Sequence, residues 1–177
     1  MIPSFLPGTI KLFIHYKNLA EKTFAQVSDA QFFQQQGAEN SMAVLVQHMT
    51  GNMKSRFTDF LTTDGEKPWR NRDGEFEDPT LTRSELMQQW DESWKILLDL
   101  LQNLSEEDLS KTVYIRNEGH SVPDAILRQL AHYAYHVGQI VHAAKLLTGD
   151  HWQALSIPKG ASETYNVDKF SQPPHLT

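Results

Sequence analysis

The chain contains no cysteine. That excludes a disulfide scaffold, a Cys-based zinc finger, an iron–sulfur centre and a cysteine nucleophile, and any thiol chemistry requires a thiol from outside. Long apolar runs are also missing, since the longest are a few residues against the ~20 that a membrane span needs. The start, MIPSFLPGTIKLF, lacks the basic-then-apolar layout of a signal peptide, so the expectation is a cytoplasmic protein with no membrane partner. No run of Lys and Arg stands out: 16 basic residues face 22 acidic ones, for a net charge of −6 with His neutral. Nucleic acid is therefore not an expected partner. Several catalytic signatures are absent as well: H-E-x-x-H, G-x-S-x-G, a P-loop, a dinucleotide fingerprint and the paired E-x-x-H sets of di-iron bundles.

What is present reads as one globular domain over residues 1–177, with a core at about 5–150 and an irregular, docked C-terminal tail at 151–177. A chain of this length buries roughly 70% of its unfolded surface and needs no covalent staples. Four stretches carry helical periodicity. The first, about 9–27, puts Leu12, Phe13, Tyr16, Leu19, Ala20, Phe24 and Val27 on one face. The second follows the N-cap types Asn40-Ser41 and runs to about Leu61, with Met42, Leu45, Val46, Met49, Met53, Phe57 and Phe60 apolar. The third opens with the capping box Thr82-Arg83-Ser84-Glu85 and continues through a seam of Leu86, Trp90, Trp94, Leu97, Leu101 and Leu104. The fourth begins near Pro123 and ends at Thr148-Gly149. Its apolar residues surround much of its circumference, so it is expected to be the most buried.

The fold class is thus all-α, a four-helix bundle. Between the second and third helices, residues 62–81 contain Asp64-Gly65, Pro68, Asp73-Gly74 and Pro79 and have no helical period. They are long enough to return along the bundle as a crossover. Loops of this length are often functional, and this one carries Trp69, Arg70 and Arg72; Trp69 can equally plug the bundle end. Val113-Tyr114-Ile115 and His120-Ser121-Val122, flanking Arg116-Asn117-Glu118-Gly119, predict a short hairpin before the fourth helix.

The chemistry points to His132-Tyr133-Ala134-Tyr135-His136. Side chains four apart lie about 40° apart around a helix and one turn along it, so both imidazoles can reach one point. Eight histidines scattered at random would give roughly 0.3 such pairs, so location carries more weight than spacing. Both lie mid-helix in an expected core helix, and His48 lies mid-helix in the second stretch. Three neutral imidazoles from two helices match a His₃ set that binds zinc and leaves a fourth position open, where a bound water or thiol loses its proton near neutral pH. Imidazole suits nickel, copper and iron as well. His48 also fits a solvated polar stripe, because it stands at the margin of the apolar face with Ser41, Asn52, Ser55 and Asp59. His15, His120, His142, His151 and His175 read as surface or capping residues.

The segment Val44-Leu45-Val46-Gln47-His48-Met49, together with Leu130-Ala131-His132-Tyr133-Ala134-Tyr135-His136-Val137-Gly138-Gln139, resembles the DinB/YfiT-like superfamily of four-helix metalloenzymes over about residues 5–165. The loop Gly65-Glu66-Lys67-Pro68-Trp69-Arg70-Asn71-Arg72 and the tail Ser156-Ile157-Pro158-Lys159-Gly160 look like a branch catalogued as a domain of unknown function. The resemblance implies an up-down-down-up bundle, often a homodimer, with a divalent metal, zinc or nickel foremost, on His48, His132 and His136. It further implies thiol-dependent S-transferase or isomerase chemistry with a low-molecular-weight thiol such as bacillithiol or mycothiol, or metal-dependent hydrolysis. Many members have a second histidine after the last ligand, where this chain has Val137.

The leading expectation is a metal-dependent transferase whose partners are a small thiol and an electrophile. Trp69, Arg70 and Arg72 are candidates for substrate binding, and Asn52 and Gln139 for orienting a ligand. Hydrolysis is the enzymatic alternative. From a different class comes a non-catalytic dimer with structural histidines, its interface supplied by the Trp- and Leu-rich third helix.

Overall fold

The computed structural model describes residues 5–174, and His175 lies outside them. The protein is mostly helical, with one small antiparallel hairpin. In chain order it contains α1 (Phe5–Phe24), α2 (Asp29–Phe33), α3 (Met42–Phe57), α4 (Arg83–Asn103), β1 (Thr112–Ile115), β2 (Glu118–Ser121), α5 (Val122–Thr148) and α6 (Ser162–Phe170). The four periodic stretches are α1, α3, α4 and α5. Helix α3 packs chiefly on α4 and α1 on α5, with smaller α3–α5 and α1–α4 contacts closing the set.

Local chemistry accounts for the helix ends. Thr82 caps α4 and Glu85 returns the bond to the Thr82 amide at 2.8 Å, the full capping box. Ser121 caps α5 with proline in its first turn, and Gly149 ends it at φ 53°, a conformation that costs glycine little. A second box, Ser28 with Gln31, starts the five-residue α2. Phe13, Trp94 and Tyr133 pack edge-on or tilted between α1, α4 and α5, with Trp90 bridging Trp94 and Phe24.

Four expectations need correction. The most buried helix is α3, with thirteen of its sixteen residues buried against eleven of twenty-seven in α5. The reason is the long connection, which folds over the polar edge of α3 at His48 and Ser55, while Asn52 meets Tyr133 of α5 and Asp59 stays exposed. The seam of α4 is monomer core: Trp90, Trp94 and Leu97 have no exposed surface, so it cannot double as a dimer interface. The hairpin turns at Arg116-Asn117, both left-handed (φ 54° and 62°), and not at Gly119. Gly119 pairs with Tyr114 in the ladder, where a side chain would crowd Thr112. The tail is not wholly irregular, since α6 forms within it, although none of its residues is buried. Its anchorage includes Trp152 against the core and a reciprocal pair of bonds between Gln153 backbone and Gln26.

The connection from α3 to α4 is built as a strap. Ser55 Oγ donates to Gly65 O at 2.7 Å and accepts from the Lys67 amide at 3.1 Å. About two turns earlier on α3, the Gln47 amide group donates to the carbonyls of Gly74, Glu75 and Glu77 at 3.1–3.2 Å. The hairpin is fastened to the same strap. Gly65 N–H donates to Tyr114 O, and the Asp64 carboxylate accepts from the Arg116 and Asn117 amides at 2.9 and 2.7 Å. Strap and hairpin therefore deliver their side chains to one place beside α3 and α5.

Among the described residues no helix is long and apolar enough to cross a membrane.

Candidate metal centre

His48 comes from α3, and His132 and His136 from successive turns of α5. One ring nitrogen of each lies within 4.8 Å of the others. The Nε2 atoms of His132 and His136 are 2.9 Å apart and those of His48 and His132 are 3.3 Å apart. A tetrahedral ion with bonds of about 2.05 Å to imidazole needs ligand atoms about 3.3 Å apart, so the spacing fits such an ion.

The partners assign the tautomers. His48 Nδ1–H donates to Glu75 Oε2 at 2.9 Å, and His136 Nδ1–H donates to Gln139 Oε1 at 2.7 Å. Both rings then direct an Nε2 lone pair into the cluster, as ligand histidines do when their second nitrogen is held by a carboxylate or carbonyl. The two histidines of α5 are also held toward the neutral form. Burial, with the neighbouring His136 and His48 and nearby arginines, pushes His132 down to about 3. His136 is lowered as well, mainly by burial, although its bond to Gln139 works the other way. Three imidazoles with one ring nitrogen each gathered at one point make a site that can hold a divalent cation.

These shifts have a measurable consequence. An unfolded imidazole takes up a proton below about 6.5, whereas folded His132 stays neutral down to about 3. Across that window the unfolded state binds more protons, so stability falls as pH falls. Urea midpoints of metal-free protein are expected to drop from pH 6.5 downward, with a shallower slope in His132→Ala. Equal slopes would contradict the assignment.

Behind the histidines lies an ion-pair network. Arg70 clasps Glu75 through Nε to Oε1 at 2.7 Å and a terminal nitrogen to Oε2 at 2.8 Å, and reaches Glu66 at 3.1 Å. Arg56 and Arg116 bond the same Glu66 oxygen at 3.0 and 3.3 Å. Burial would raise both carboxyls, but Arg70 and His48 hold Glu75 below the ordinary range, and Arg56, Arg70 and Arg116 do the same for Glu66. Glu75 stays ionised and acts as the orienting acceptor of His48. Phe76 covers the His48 ring at 4.4 Å between centroids.

Gly51 makes room for this carboxylate. A Cβ there would lie 2.4 Å from Glu75 Oε1, and that oxygen is held by Arg70. In an open helix Gly→Ala stabilises by about 1 kcal/mol. At this position the sign is expected to reverse, with Gly51→Ala lowering the urea midpoint and weakening metal binding. A stabilised variant with normal metal content would show that Glu75 can move without consequence.

The histidines open onto a cleft of about 380 Å³. Of the residues singled out from sequence, Asn52, Arg70 and Arg72 line it with the three histidines. Asn52 Oδ1 accepts from the buried Tyr133 hydroxyl at 2.9 Å. Gln139 holds His136 and lines a second cleft of about 410 Å³, bounded also by Leu45, His142 and Leu146. Tyr135 lines both clefts. Trp69 is 59% exposed and faces a separate groove with Lys54 and Gln89, so it neither plugs the bundle nor lines this cleft.

Sequence reasoning missed Glu75, Glu66, Arg56, Arg116, Arg128 and Gln129. One signal was present, because Arg128, His132 and His136 form a ladder at steps of four on α5. Nothing local marks Glu75, which meets His48 only because the strap folds back.

A family model described as "Protein of unknown function (DUF1572)" matches the chain over residues 2–161. No curated protein and no solved structure matches it.

Proposed function

The chain belongs to the DUF1572 family, whose description assigns no activity, and from that premise we propose that it is a metal-dependent transferase acting with a low-molecular-weight thiol. The likeness to the DinB/YfiT-like superfamily, with its up-down-down-up bundle, supports this reading. The observation that carries it is the convergence of three imidazoles at the wall of an open cleft. His48, His132 and His136 would hold the ion, Zn²⁺ or Ni²⁺ foremost. Such a cation supplies Lewis acidity and lowers the pKa of a thiol or water that it coordinates. Glu75 and Gln139 fix two of the rings, Phe76 shields His48 from water, and the arginines of the cleft favour any group that becomes negative there.

Thiol transfer is preferred over hydrolysis for a specific reason. No Asp or Glu lines the cleft among the described residues, and Glu75 is held behind His48 by Arg70. A metal-bound hydroxide attacking an ester or amide still has to pass a proton to the leaving group, which calls for an acid–base side chain within hydrogen-bond reach. A thiolate needs none once its proton has gone to solvent. The mostly apolar second cleft, separated by Tyr135, offers a place for the carbon skeleton of an electrophile.

The test is thiol consumption by zinc- or nickel-loaded protein across a panel of small thiols with epoxide and haloalkane electrophiles. Conjugation by wild type that is lost in His132→Ala is expected. Equal background rates for both, with ester or amide hydrolysis by wild type alone, would overturn transfer in favour of hydrolysis.

A further inference from the structure

The chain has six arginines, and five of them, Arg56, Arg70, Arg72, Arg116 and Arg128, line the histidine cleft. The sixth, Arg83, is occupied with the Phe24 and Val27 carbonyls at the end of α1. None of the ten lysines lines the cleft. In a chain of net charge −6 this gathers planar, permanently charged forks at one point. Arginine rather than lysine is what two-pronged recognition of an oxyanion selects.

The protein's own carboxylates do not use this charge up. Arg56 and Arg70 are committed to Glu66 and Glu75. Arg72 faces Asp73 at 3.6 Å, but Asp73 is almost fully solvated, and the guanidinium lies 5.2 Å over the Phe76 ring. Arg116 is more than half exposed and shares Glu66 with two other arginines. Arg128 is exposed, and its recorded contact is with His120 at 3.3 Å, not with an acid. Three forks from three segments, the strap, the hairpin turn and α5, thus surround the mouth with spare donors.

A second observation is independent of charge. Arg56 Nε and Gln129 Oε1, on side chains lining the same cleft, are buried and receive no hydrogen-bond partner from the protein. Both residues are more than nine-tenths buried. A buried polar atom left unpaired costs about 1–3 kcal/mol. Two of the side chains that wall the cleft thus leave part of their hydrogen-bonding capacity unused by the protein.

We propose that the compound brought to the three-histidine centre is an oxyanion, bearing a carboxylate or phosphoryl group that Arg72, Arg116 and Arg128 bind at the cleft mouth. This rests on the reading of the cleft as a substrate site and narrows its substrate class. It also moves substrate binding from Arg70, which is structural, to the outer arginines.

The probes are succinate and inorganic phosphate, titrated by calorimetry into protein whose metal content is measured on the same sample. Wild type is expected to bind at least one of them saturably, more weakly as salt rises, because exposed charges are screened. The probe bound more tightly identifies carboxylate or phosphoryl as the natural group. Arg72→Gln with Arg128→Gln removes two exposed forks that no buried ion pair depends on, and is expected to weaken the Kd roughly a hundredfold, about tenfold for each charge-assisted contact. Lysine at both positions should restore only part of this. Equal affinity of wild type and the double Gln variant would overturn the proposal, as would failure of both anions to bind. The metal content of the wild-type sample, before and after adding Zn²⁺ or Ni²⁺, separates the two readings. Arginine-dependent binding in protein that holds no metal keeps the oxyanion site and sinks the metal centre, whereas metal at one equivalent with no anion binding does the reverse.

Discussion

Arg70→Met is expected to lower folding stability by about 3–5 kcal/mol, the cost of leaving a buried charge without its partner. The Arg70 side chain is 2% exposed and makes three bonds to Glu75 and Glu66. Removing it leaves the Glu75 carboxylate, itself buried, with only the imidazole of His48. The carboxyl then rises toward and past its ordinary range, because burial already pushes it up and its main counterweight has gone. The loss should therefore be largest at neutral pH and shrink as the medium becomes acidic enough to protonate Glu75. The double variant Arg70→Met with Glu75→Gln removes both charges and should recover much of the loss. Urea unfolding of the four proteins in the cycle measures this. A single variant within about 0.5 kcal/mol of wild type, the usual range for an uninvolved surface residue, would mean that the network is not formed in solution.

Glu75→Gln alone is expected to weaken metal binding by about 10–100-fold, the usual effect of removing the group that orients a ligand histidine. A glutamine of the same length can still accept from His48 Nδ1–H through its carbonyl. It lacks the negative charge that makes His48 Nε2 a stronger donor, and it presents an amide to Arg70 where a carboxylate was clasped. The affinity loss should be accompanied by retained helicity, because the core of Phe13, Trp90 and Trp94 lies on α1 and α4 and is untouched. Competition against a chromophoric chelator reads the affinity directly. Unchanged affinity would show that His48 is oriented without Glu75 or is not a ligand.

How far the sequence foretold this arrangement depends on the range of the interactions involved. The helix ends at Thr82 and Gly149 were readable because caps are decided by neighbours within four residues, whereas the Ser121 cap passed for a strand residue of the hairpin. The box Ser28-x-x-Gln31 was equally local, but a helix of only five residues leaves no period to notice. His132 and His136 could be paired because helical spacing alone brings them together. His48 was ambiguous for a physical reason: its polar neighbours Asn52 and Ser55 look like a solvated edge until Tyr133 of α5 and the strap meet them. Glu75 and Arg116 were not readable at all. Glu75 lies 27 residues from His48 in sequence, and Arg116 reaches Glu66 across fifty residues, through a hairpin pinned by Asp64. Such contacts are fixed only by tertiary folding. The burial of α3 was underestimated for the same reason, since a periodic pattern reports the face turned to other helices but not a face roofed by loop.

The proposed transferase stands on a divalent metal held by His48, His132 and His136. Its most direct test is elemental analysis of untagged protein, purified without chelator or nickel resin, beside His132→Ala. The account predicts close to one equivalent of a transition metal in wild type, none in the variant, and a rise in melting temperature when Zn²⁺ or Ni²⁺ is added to stripped wild type. Wild type and variant both empty, with no rise on adding either ion, would contradict it and leave the three histidines as a buried hydrogen-bonded cluster.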